Sequence, residues 1–317
     1  MVPQVVNRDT LMDAIGAYLG GERRLAPVRE IVAAEIDAAG ADALARLNAR
    51  LLEPADEWTY YAPDPLARRL HDALANCVLQ PESSVLGVEH AHAVSDRPFV
   101  VCANHLSYAD ANLIDVLLRR AGAGVIADRL TVMAGPKVYT SRKRRFSSLS
   151  FGTIRTPQTS GRSSDEAVMT PREVARAARA AITAAHNRLT VGDTLLVFPE
   201  GIRSRTRSLE RMLAGATRYF DIPGGWVLPL ALAGSDVMFP IGDDALTSAR
   251  VDIRIGPAVA AERLRARADG DRQLMIDAVG CAIAALLPAQ YRGEYAEDFA
   301  WLADAQRIAG ELFSTAA

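Results

Sequence analysis

The residues best suited to chemistry begin where an apolar run ends. The stretch from Val100 to Asp110 reads V-V-C-A-N-H-L-S-Y-A-D, so Asn104 and His105 follow the run and a carboxylate comes five positions after the histidine. A histidine oriented by a carboxylate is a general base that can take a proton from a hydroxyl. Taken alone, the pair has an equally simple interpretation, in which Asp110 starts a helix and His105 is a polar residue at a turn.

A second polar cluster also follows an apolar run. The segment L-L-V-F at 195–198 leads into P-E-G-I-R-S-R-T-R at 199–207. Gly201 permits a tight turn or a positive φ, and Glu200 can anchor a backbone or hydroxyl group. The alternating arginines could be a solvated surface run, but forked guanidinium donors directly after a buried strand favour a phosphate site.

The elements that must position these clusters follow from hydrophobic periodicity. Apolar residues at helical spacing between 9 and 53, interrupted at Gly20-Gly21 and at Gly40, predict a compact helical hairpin or small bundle. The same spacing from Pro63 to Cys77 predicts one more helix. Beyond Pro81 short strands alternate with helices, which predicts an α/β fold: a mixed, largely parallel sheet flanked by helices, with a smaller N-terminal helical domain. The predicted strands are 84–94, 99–102, 131–133, 153–154, 194–198, 226–232 and 251–255, and the predicted helices between them are 111–120, 171–189, 207–220 and 262–286.

The predicted domains are residues 1–80, a helical domain, and residues 81–317, an α/β catalytic domain. In open α/β sheets ligands bind at the carboxyl ends of the strands. His105 and the arginines after Phe198 both follow strands, so we expect them at one edge of the sheet. The polar interval 156–165 is expected to form a surface loop near that edge.

Composition narrows the range of partners and locations. The chain has 36 basic and 38 acidic residues, a balance that gives no argument for nucleic-acid binding. Three widely spaced cysteines fit a reducing cytosol, and neither a signal peptide nor an apolar run of membrane-spanning length is evident. The sequence therefore predicts a cytoplasmic protein, whose membrane contact, if any, is peripheral and on the inner face.

Two other histidines have a spacing seen in metal sites. Glu89 to His92 reads E-H-A-H, which would place both imidazoles on one face of the predicted strand 84–94. The sequence offers no third ligand of matching geometry. We therefore predict polar positions on a half-exposed strand and no metal site, leaving a zinc hydrolase as a distant alternative.

The two clusters together resemble a known family. N-H-x-S-x-x-D at 104–110 and F-P-E-G-x-R-S at 198–204 are similar to motifs of the glycerophospholipid acyltransferases, and F-G-T-I-R at 151–155 and V-L-P-L-A-L-A-G at 227–234 are similar to two further blocks, in the same order. The long interval between His105 and Phe198, the helical N-terminal region, A-G-P-K-V-Y-T at 134–140 and L-P-L-A-L-A-G-S-D-V-M at 228–238 most resemble the soluble, plastid-type glycerol-3-phosphate acyltransferases. The F-P-E-G block is a departure, because those enzymes do not generally keep it.

The resemblance implies a reaction. A fatty acyl chain would pass from a thioester, acyl-CoA or acyl carrier protein, to the sn-1 hydroxyl of glycerol-3-phosphate, the first step of glycerophospholipid synthesis, without a cofactor. The alternatives are acylation of 1-acylglycerol-3-phosphate to phosphatidate, and a non-catalytic protein that binds lipid or acyl carrier protein. The implied roles are His105 as base and Asp110 as its partner; Arg203, Arg205 and Arg155 on the acceptor phosphate; Glu200 and Gly201 shaping that pocket; Ser107 nearby; and a backbone amide or water near Asn104 facing the oxyanion.

One basic run lies outside these blocks. S-R-K-R-R-F at 141–146 has two interpretations: a solvated loop, or a functional surface. As a functional surface it would dock an acidic acyl carrier protein, contact coenzyme A phosphates, or rest on an anionic membrane.

Overall fold

A computed structural model describes residues 7–19, 26, 28–53, 59–135, 138, 142–157, 170–238 and 247–314. In this part of the chain one sheet contains the strands β1 (Tyr60–Tyr61), β2 (Ser84–Leu86), β3 (Phe99–Ala103), β4 (Leu130–Ala134), β5 (Gly152–Arg155), β6 (Thr194–Val197), β7 (Trp226–Ala233), β8 (Asp252–Ile255) and β9 (Val259–Ala260). Their spatial order is β1-β5-β4-β6-β3-β7-β8-β2, and β9 pairs with β7.

The centre of the sheet is parallel. Strands β5, β4, β6, β3 and β7 pair in parallel, as does β2 with β8, whereas β1 pairs antiparallel with β5, and β8 and β9 pair antiparallel with β7. Every residue of β3 and β6 is buried, as expected for strands that are covered on both faces. The predicted mixed, largely parallel sheet is confirmed.

Helices cover both faces of the sheet. Those described are α1 (Arg8–Leu19), α2 (Arg29–Leu52), α3 (Pro65–Val78), α4 (Val88–His92), α5 (Asp110–Arg120), α6 (Gly124–Asp128), α7 (Arg142–Ser148), α8 (Pro171–Thr190), α9 (Ser235–Met238), α10 (Ala261–Arg267), α11 (Arg272–Leu286) and α12 (Leu302–Leu312). None of these helices combines the length and the apolar character needed to cross a bilayer.

The core lies in two layers, one on each side of β3. On one side, helices α1, α2, α3 and α5 pack with Phe99, Val101 and Ala103. On the other side, helices α8, α11 and α12 pack with Val100 and Cys102. The N-terminal helices thus share a core with the sheet, and β1 joins the sheet edge directly. The division into domains at residue 80 stays a prediction.

The prediction of a strand over residues 84–94 is wrong beyond Leu86. Only Ser84–Leu86 is extended; Gly87 then adopts a positive φ of 79°, and α4 follows. A left-handed residue ends the extended backbone, and glycine adopts that conformation without strain. His90 and His92 are therefore on a helix, where residues two apart do not share a face. The described residues contain no group of three His, Cys, Asp or Glu side chains arranged to hold a metal.

Two predicted helices also differ from the structure. In the interval 207–220 only Ala214–Phe220 is helical, as a 3-10 turn, because the backbone of Leu209 bonds to Tyr291 and Glu294 instead of to its own neighbours. The interval 262–286 is two helices, separated by positive φ at Asp269 and Gly270. Sequence periodicity misses both features because they depend on distant partners or on single backbone angles.

Candidate active site

His105 and Asp110 form the centre of the candidate site. β3 ends at Ala103 and α5 begins at Asp110, and the connecting turn brings His105 Nδ1 within 2.8 Å of Asp110 Oδ2. A carboxylate accepts hydrogen bonds only, so Nδ1 carries the ring proton and Nε2 keeps its lone pair. The Asp110 side chain is fully buried, while 19% of the His105 side chain is exposed, which leaves the imidazole accessible to a substrate.

The same carboxylate oxygen also organises the turn. Asp110 Oδ2 accepts the backbone N–H groups of Leu106 at 2.7 Å and Ser107 at 2.9 Å in addition to the imidazole. The Ser107 hydroxyl is buried and accepts the N–H of Ala109 at 2.9 Å. Ser107 therefore contributes to the shape of the turn that presents the histidine.

The segment after β6 holds the backbone of His105 from both sides. Glu200 Oε1 accepts the His105 N–H at 2.8 Å, and the Ser204 N–H donates to the His105 carbonyl at 2.8 Å. The Phe198 ring stacks on the imidazole with 4.3 Å between centroids. β3 and β6 are adjacent and parallel, so their carboxyl ends meet at one edge, as the sequence predicts.

Glu200 reaches the site only through the backbone. Its second carboxyl oxygen accepts the N–H of Glu210 at 3.0 Å, and the residue is 2% exposed. Burial raises the pKa of Glu200 to about 8, although the two backbone N–H groups act in the opposite direction. The sequence assigns Glu200 to the substrate pocket, whereas its oxygens face the main chain of His105 and Glu210.

Asn104 extends the sheet beyond the end of β3. Its side-chain amide donates to the Leu232 carbonyl at 2.9 Å and accepts the Leu232 N–H at 2.8 Å, so it pairs with β7 as a backbone peptide would. The next three backbone N–H groups donate to Glu200 or Asp110. These amides are engaged within the protein, and the expected oxyanion donor near Asn104 is none of them.

Gly201 forms the turn that follows Glu200. Its φ is 74°, in the left-handed region that favours glycine, and its N–H donates to the Phe198 carbonyl at 3.0 Å. A Cβ at this position would lie 2.6 Å from a terminal methyl of Leu213. The glycine therefore lets the chain reverse direction next to His105.

The arginines lie at different depths. Arg203 is half-buried, with its guanidinium 4.3 Å from the centroid of the Tyr108 ring, and its Nη1 is buried without a hydrogen-bond partner among the described residues. Arg205 is exposed. Arg155 ends β5, three strand positions from β3, which places its backbone roughly 14 Å from that of His105. Arg203 is thus the predicted phosphate ligand placed beside the His105 turn.

The basic run divides into residues with different surroundings. Arg145 is buried and donates through Nη1 to the carbonyl of Leu51 at 3.2 Å and to that of Glu53, at the end of α2. Arg144 lies over the Tyr108 ring, 4.3 Å from its centroid. Ser141 and the side chains of residues 142 and 143 lie outside the described residues, as do residues 158–165 of the predicted polar loop.

Sequence reasoning did not single out Tyr108 or Phe198, although both lie inside the motifs. The available signal is position in the sequence: Tyr108 lies between His105 and Asp110, and Phe198 directly precedes the P-E-G segment.

Two other histidines lie apart from this edge: burial lowers the pKa of His71 to about 4, and its Nε2 pairs with the Phe146 carbonyl at 3.2 Å. His186 pairs with the carbonyl of Arg218 at 3.0 Å.

One family model matches the part of the chain that contains the candidate site residues. Residues 84–233 match the family model Acyltransferase. The matched segment contains His105, Asp110, the turn after β6 and the whole of β7. Among solved structures, the 1-acyl-sn-glycerophosphate (LPA) acyltransferase PlsC from Thermotoga maritima is similar, with 21% identity and a TM-score of 0.43 over 70% of this chain and 82% of that chain. The search of curated proteins found no match.

Proposed function

We propose that this chain is an acyltransferase, which transfers a fatty acyl group from a thioester to a hydroxyl of a glycerol phosphate. The observation that carries the proposal is the hydrogen bond between His105 Nδ1 and the buried Asp110, with Arg203 placed beside the same turn. The match of residues 84–233 to the family model Acyltransferase supports the same class of reaction.

In the proposed reaction His105 is the general base. Its Nε2 takes the proton of the acceptor hydroxyl as the oxygen attacks the thioester carbonyl, and the carbonyl electron pair moves onto oxygen. When the intermediate collapses, the C–S bond breaks and the leaving thiolate takes the proton back from Nε2, so an ester and a free thiol are formed. Asp110 keeps the ring oriented and stabilises the imidazolium that forms.

The acceptor in this proposal is glycerol-3-phosphate, acylated at the sn-1 hydroxyl. Arg203 would bind the acceptor phosphate, with Arg205 and Arg155 as further contacts. The resemblance to plastid-type enzymes, which have a helical N-terminal region, favours this acceptor. In this chain the helices α1 to α3 lie in the corresponding region. Acyl-CoA or acyl carrier protein would be the donor, and the scheme needs no cofactor.

An acceptor comparison tests the proposal. The protein is mixed with a long-chain acyl-CoA and, separately, with glycerol-3-phosphate, 1-acylglycerol-3-phosphate or glycerol, and thiol release and lipid product are followed. We expect product with glycerol-3-phosphate and little with glycerol, because glycerol lacks the phosphate. Product with the 1-acyl form alone would reassign the acceptor. Binding of acyl-CoA without transfer to any acceptor would favour the non-catalytic alternative.

A further inference from the structure

The far end of the segment after β6 is bound by the C-terminal part of the chain. The Leu209 carbonyl accepts the Glu294 N–H at 3.0 Å, and the Glu294 carboxylate accepts the Arg211 N–H at 3.0 Å. The Tyr295 hydroxyl accepts the Met212 N–H, also at 3.0 Å. The residues that hold the segment here lie between α11 and α12, beyond the part of the chain that matches the family model.

The Tyr295 hydroxyl connects this backbone to α11. It donates to Asp277 Oδ1 at 3.1 Å while it accepts the Met212 N–H. Burial raises the pKa of Tyr295, so the hydroxyl keeps the proton that it donates. Asp277 is buried and is itself held by Arg211 Nη2 at 2.9 Å. A Cβ on Gly280 would lie 2.3 Å from the Tyr295 ring, so α11 leaves the ring no room to shift toward it.

The backbone that Tyr295 holds leads directly to His105. The N–H of Glu210, two residues before Met212, donates to Glu200 Oε2 at 3.0 Å. The other oxygen of the same carboxylate accepts the His105 N–H at 2.8 Å. Because Glu200 is buried, the loss of either partner would leave a carboxyl oxygen unsatisfied. A displacement of this backbone would therefore reach the backbone of His105 through one carboxylate.

We propose that Tyr295 is a positioning residue for His105. Its hydroxyl fixes the backbone at Met212 and thereby the Glu210 N–H, which holds the Glu200 carboxylate against the His105 turn. A general base acts only within hydrogen-bond reach of the proton that it takes, so its displacement lowers kcat. The inference rests on the proposed function and adds to it a residue outside the four motif blocks.

Tyr295→Phe tests the hydroxyl alone, because the ring that fills the site is kept. We expect kcat per folded protein to fall at least about tenfold, while the KM values for glycerol-3-phosphate and acyl-CoA change less than about twofold. The assay temperature is well below the midpoint of the thermal melt of the variant. Tyr219→Phe is the matched control, because the Tyr219 hydroxyl makes no hydrogen bond to another described residue.

Two further comparisons separate positioning from loss of stability. Ile308→Ala removes a fully buried side chain of α12 from the core layer that contains Tyr295. It should lower the melting temperature at least as much as Tyr295→Phe and keep kcat per folded protein within about twofold of the wild type. Glu294→Gln keeps an acceptor for the Arg211 N–H and should keep kcat, whereas Glu294→Ala should lower it.

A spectroscopic measurement follows His105 without turnover. The chain has five histidines, so isotope labelling of histidine alone gives few backbone amide signals, and the one that is lost in His105→Ala belongs to His105. Because the His105 N–H donates to a carboxylate, its chemical shift reports that hydrogen bond. Tyr295→Phe should move this signal more than the other histidine signals, and Ile308→Ala should leave it in place.

The outcomes distinguish this inference from the proposed function. A kcat of Tyr295→Phe within about twofold of the wild type would overturn the inference and leave the function standing. Equal losses of kcat in Tyr295→Phe and Ile308→Ala would also overturn it, because a loss of stability would then be sufficient. A moved His105 signal in Tyr295→Phe, in a protein that transfers no acyl group, would support the positioning and remove the function.

Discussion

At the scale of single residues, His105 is fixed by contacts from two strand ends. Asp110 and Phe198 hold its ring, while Glu200 and Ser204 hold its backbone. A general base must lie within hydrogen-bond reach of the proton it takes, so small displacements of the ring lower the rate. The residues that fix the histidine are therefore expected to affect kcat more than substrate binding.

Asp110→Asn is expected to lower kcat by about 10²–10⁴-fold. The amide oxygen can occupy the position of Oδ2 and accept the same donors, while the amide nitrogen takes the position of Oδ1, which has no partner among the described residues. The charge that stabilises the imidazolium is lost and the turn is kept. The measurement is steady-state kinetics together with a thermal melt, with Asp96→Asn as the exposed control. A kcat within twofold of the wild type would contradict the role given to Asp110.

The raised pKa of Glu200 predicts that the free energy of unfolding falls as the pH rises. Because burial raises its pKa in the folded protein to about 8 from an ordinary value of 4.5, folding takes up a proton between these values. The stabilisation is complete below pH 4.5 and is lost as the pH rises through 8, at no more than about 1.4 kcal/mol per pH unit.

Urea denaturation at several pH values measures this slope. In Glu200→Gln the contribution should disappear, so the free energy of unfolding should fall less steeply between pH 5 and 8 than in the wild type. Gln also accepts only one of the two backbone N–H groups well, which predicts a lower kcat. Glu82→Gln, an exposed substitution, should keep the wild-type slope. Parallel curves for wild type and Glu200→Gln would show that Glu200 does not take up the proton.

At the scale of elements, the segment after β6 joins the ends of three strands. It leaves β6 at Phe198, crosses the end of β3 at His105 through Glu200, and reaches the end of β7, where Arg207 lies 3.6 Å from Asp236. The strands themselves are predictable because each is a short apolar run. The path of the segment is not, because it depends on backbone partners far away in sequence.

Gly201→Ala tests the importance of this path. The positive φ should cost about 1–2 kcal/mol of stability for a residue with a Cβ, while the methyl of Leu213 can move aside. Because the turn carries Glu200, kcat should also fall. Gly310→Ala in α12 meets no atom within 4 Å and should stabilise the protein slightly, which makes it a control of opposite sign. Equal stability changes for the two variants would contradict this account of the turn.

At the scale of the whole molecule, α7 connects the N-terminal helices to the candidate active site. Arg145 bonds the end of α2, and its neighbour Arg144 reaches Tyr108. The sequence predicts the fold class, and it predicts that the two motifs meet at one edge of the sheet, because each motif follows the end of a strand. It does not predict that Arg145 is buried against the end of α2 while the adjacent Arg144 lies over the Tyr108 ring, since the charge of a residue does not indicate its burial.

Arg145→Ala is expected to destabilise the protein by about 1–3 kcal/mol, because it leaves carbonyl oxygens at the end of α2 without their donor. Urea denaturation provides the measurement. Arg172→Ala should change the stability by less than about 0.5 kcal/mol. If both substitutions had the same small effect, the link between α7 and α2 would not contribute to stability.

The central claim is that His105 is the base of an acyl transfer. The most direct measurement is glycerol-3-phosphate-dependent thiol release from acyl-CoA by the wild type, by His105→Ala, and by His92→Ala, whose imidazole is exposed on α4. We predict that His105→Ala loses at least about 10²-fold in kcat while binding glycerol-3-phosphate normally, and that His92→Ala matches the wild type. Equal turnover by wild type and His105→Ala would contradict the account.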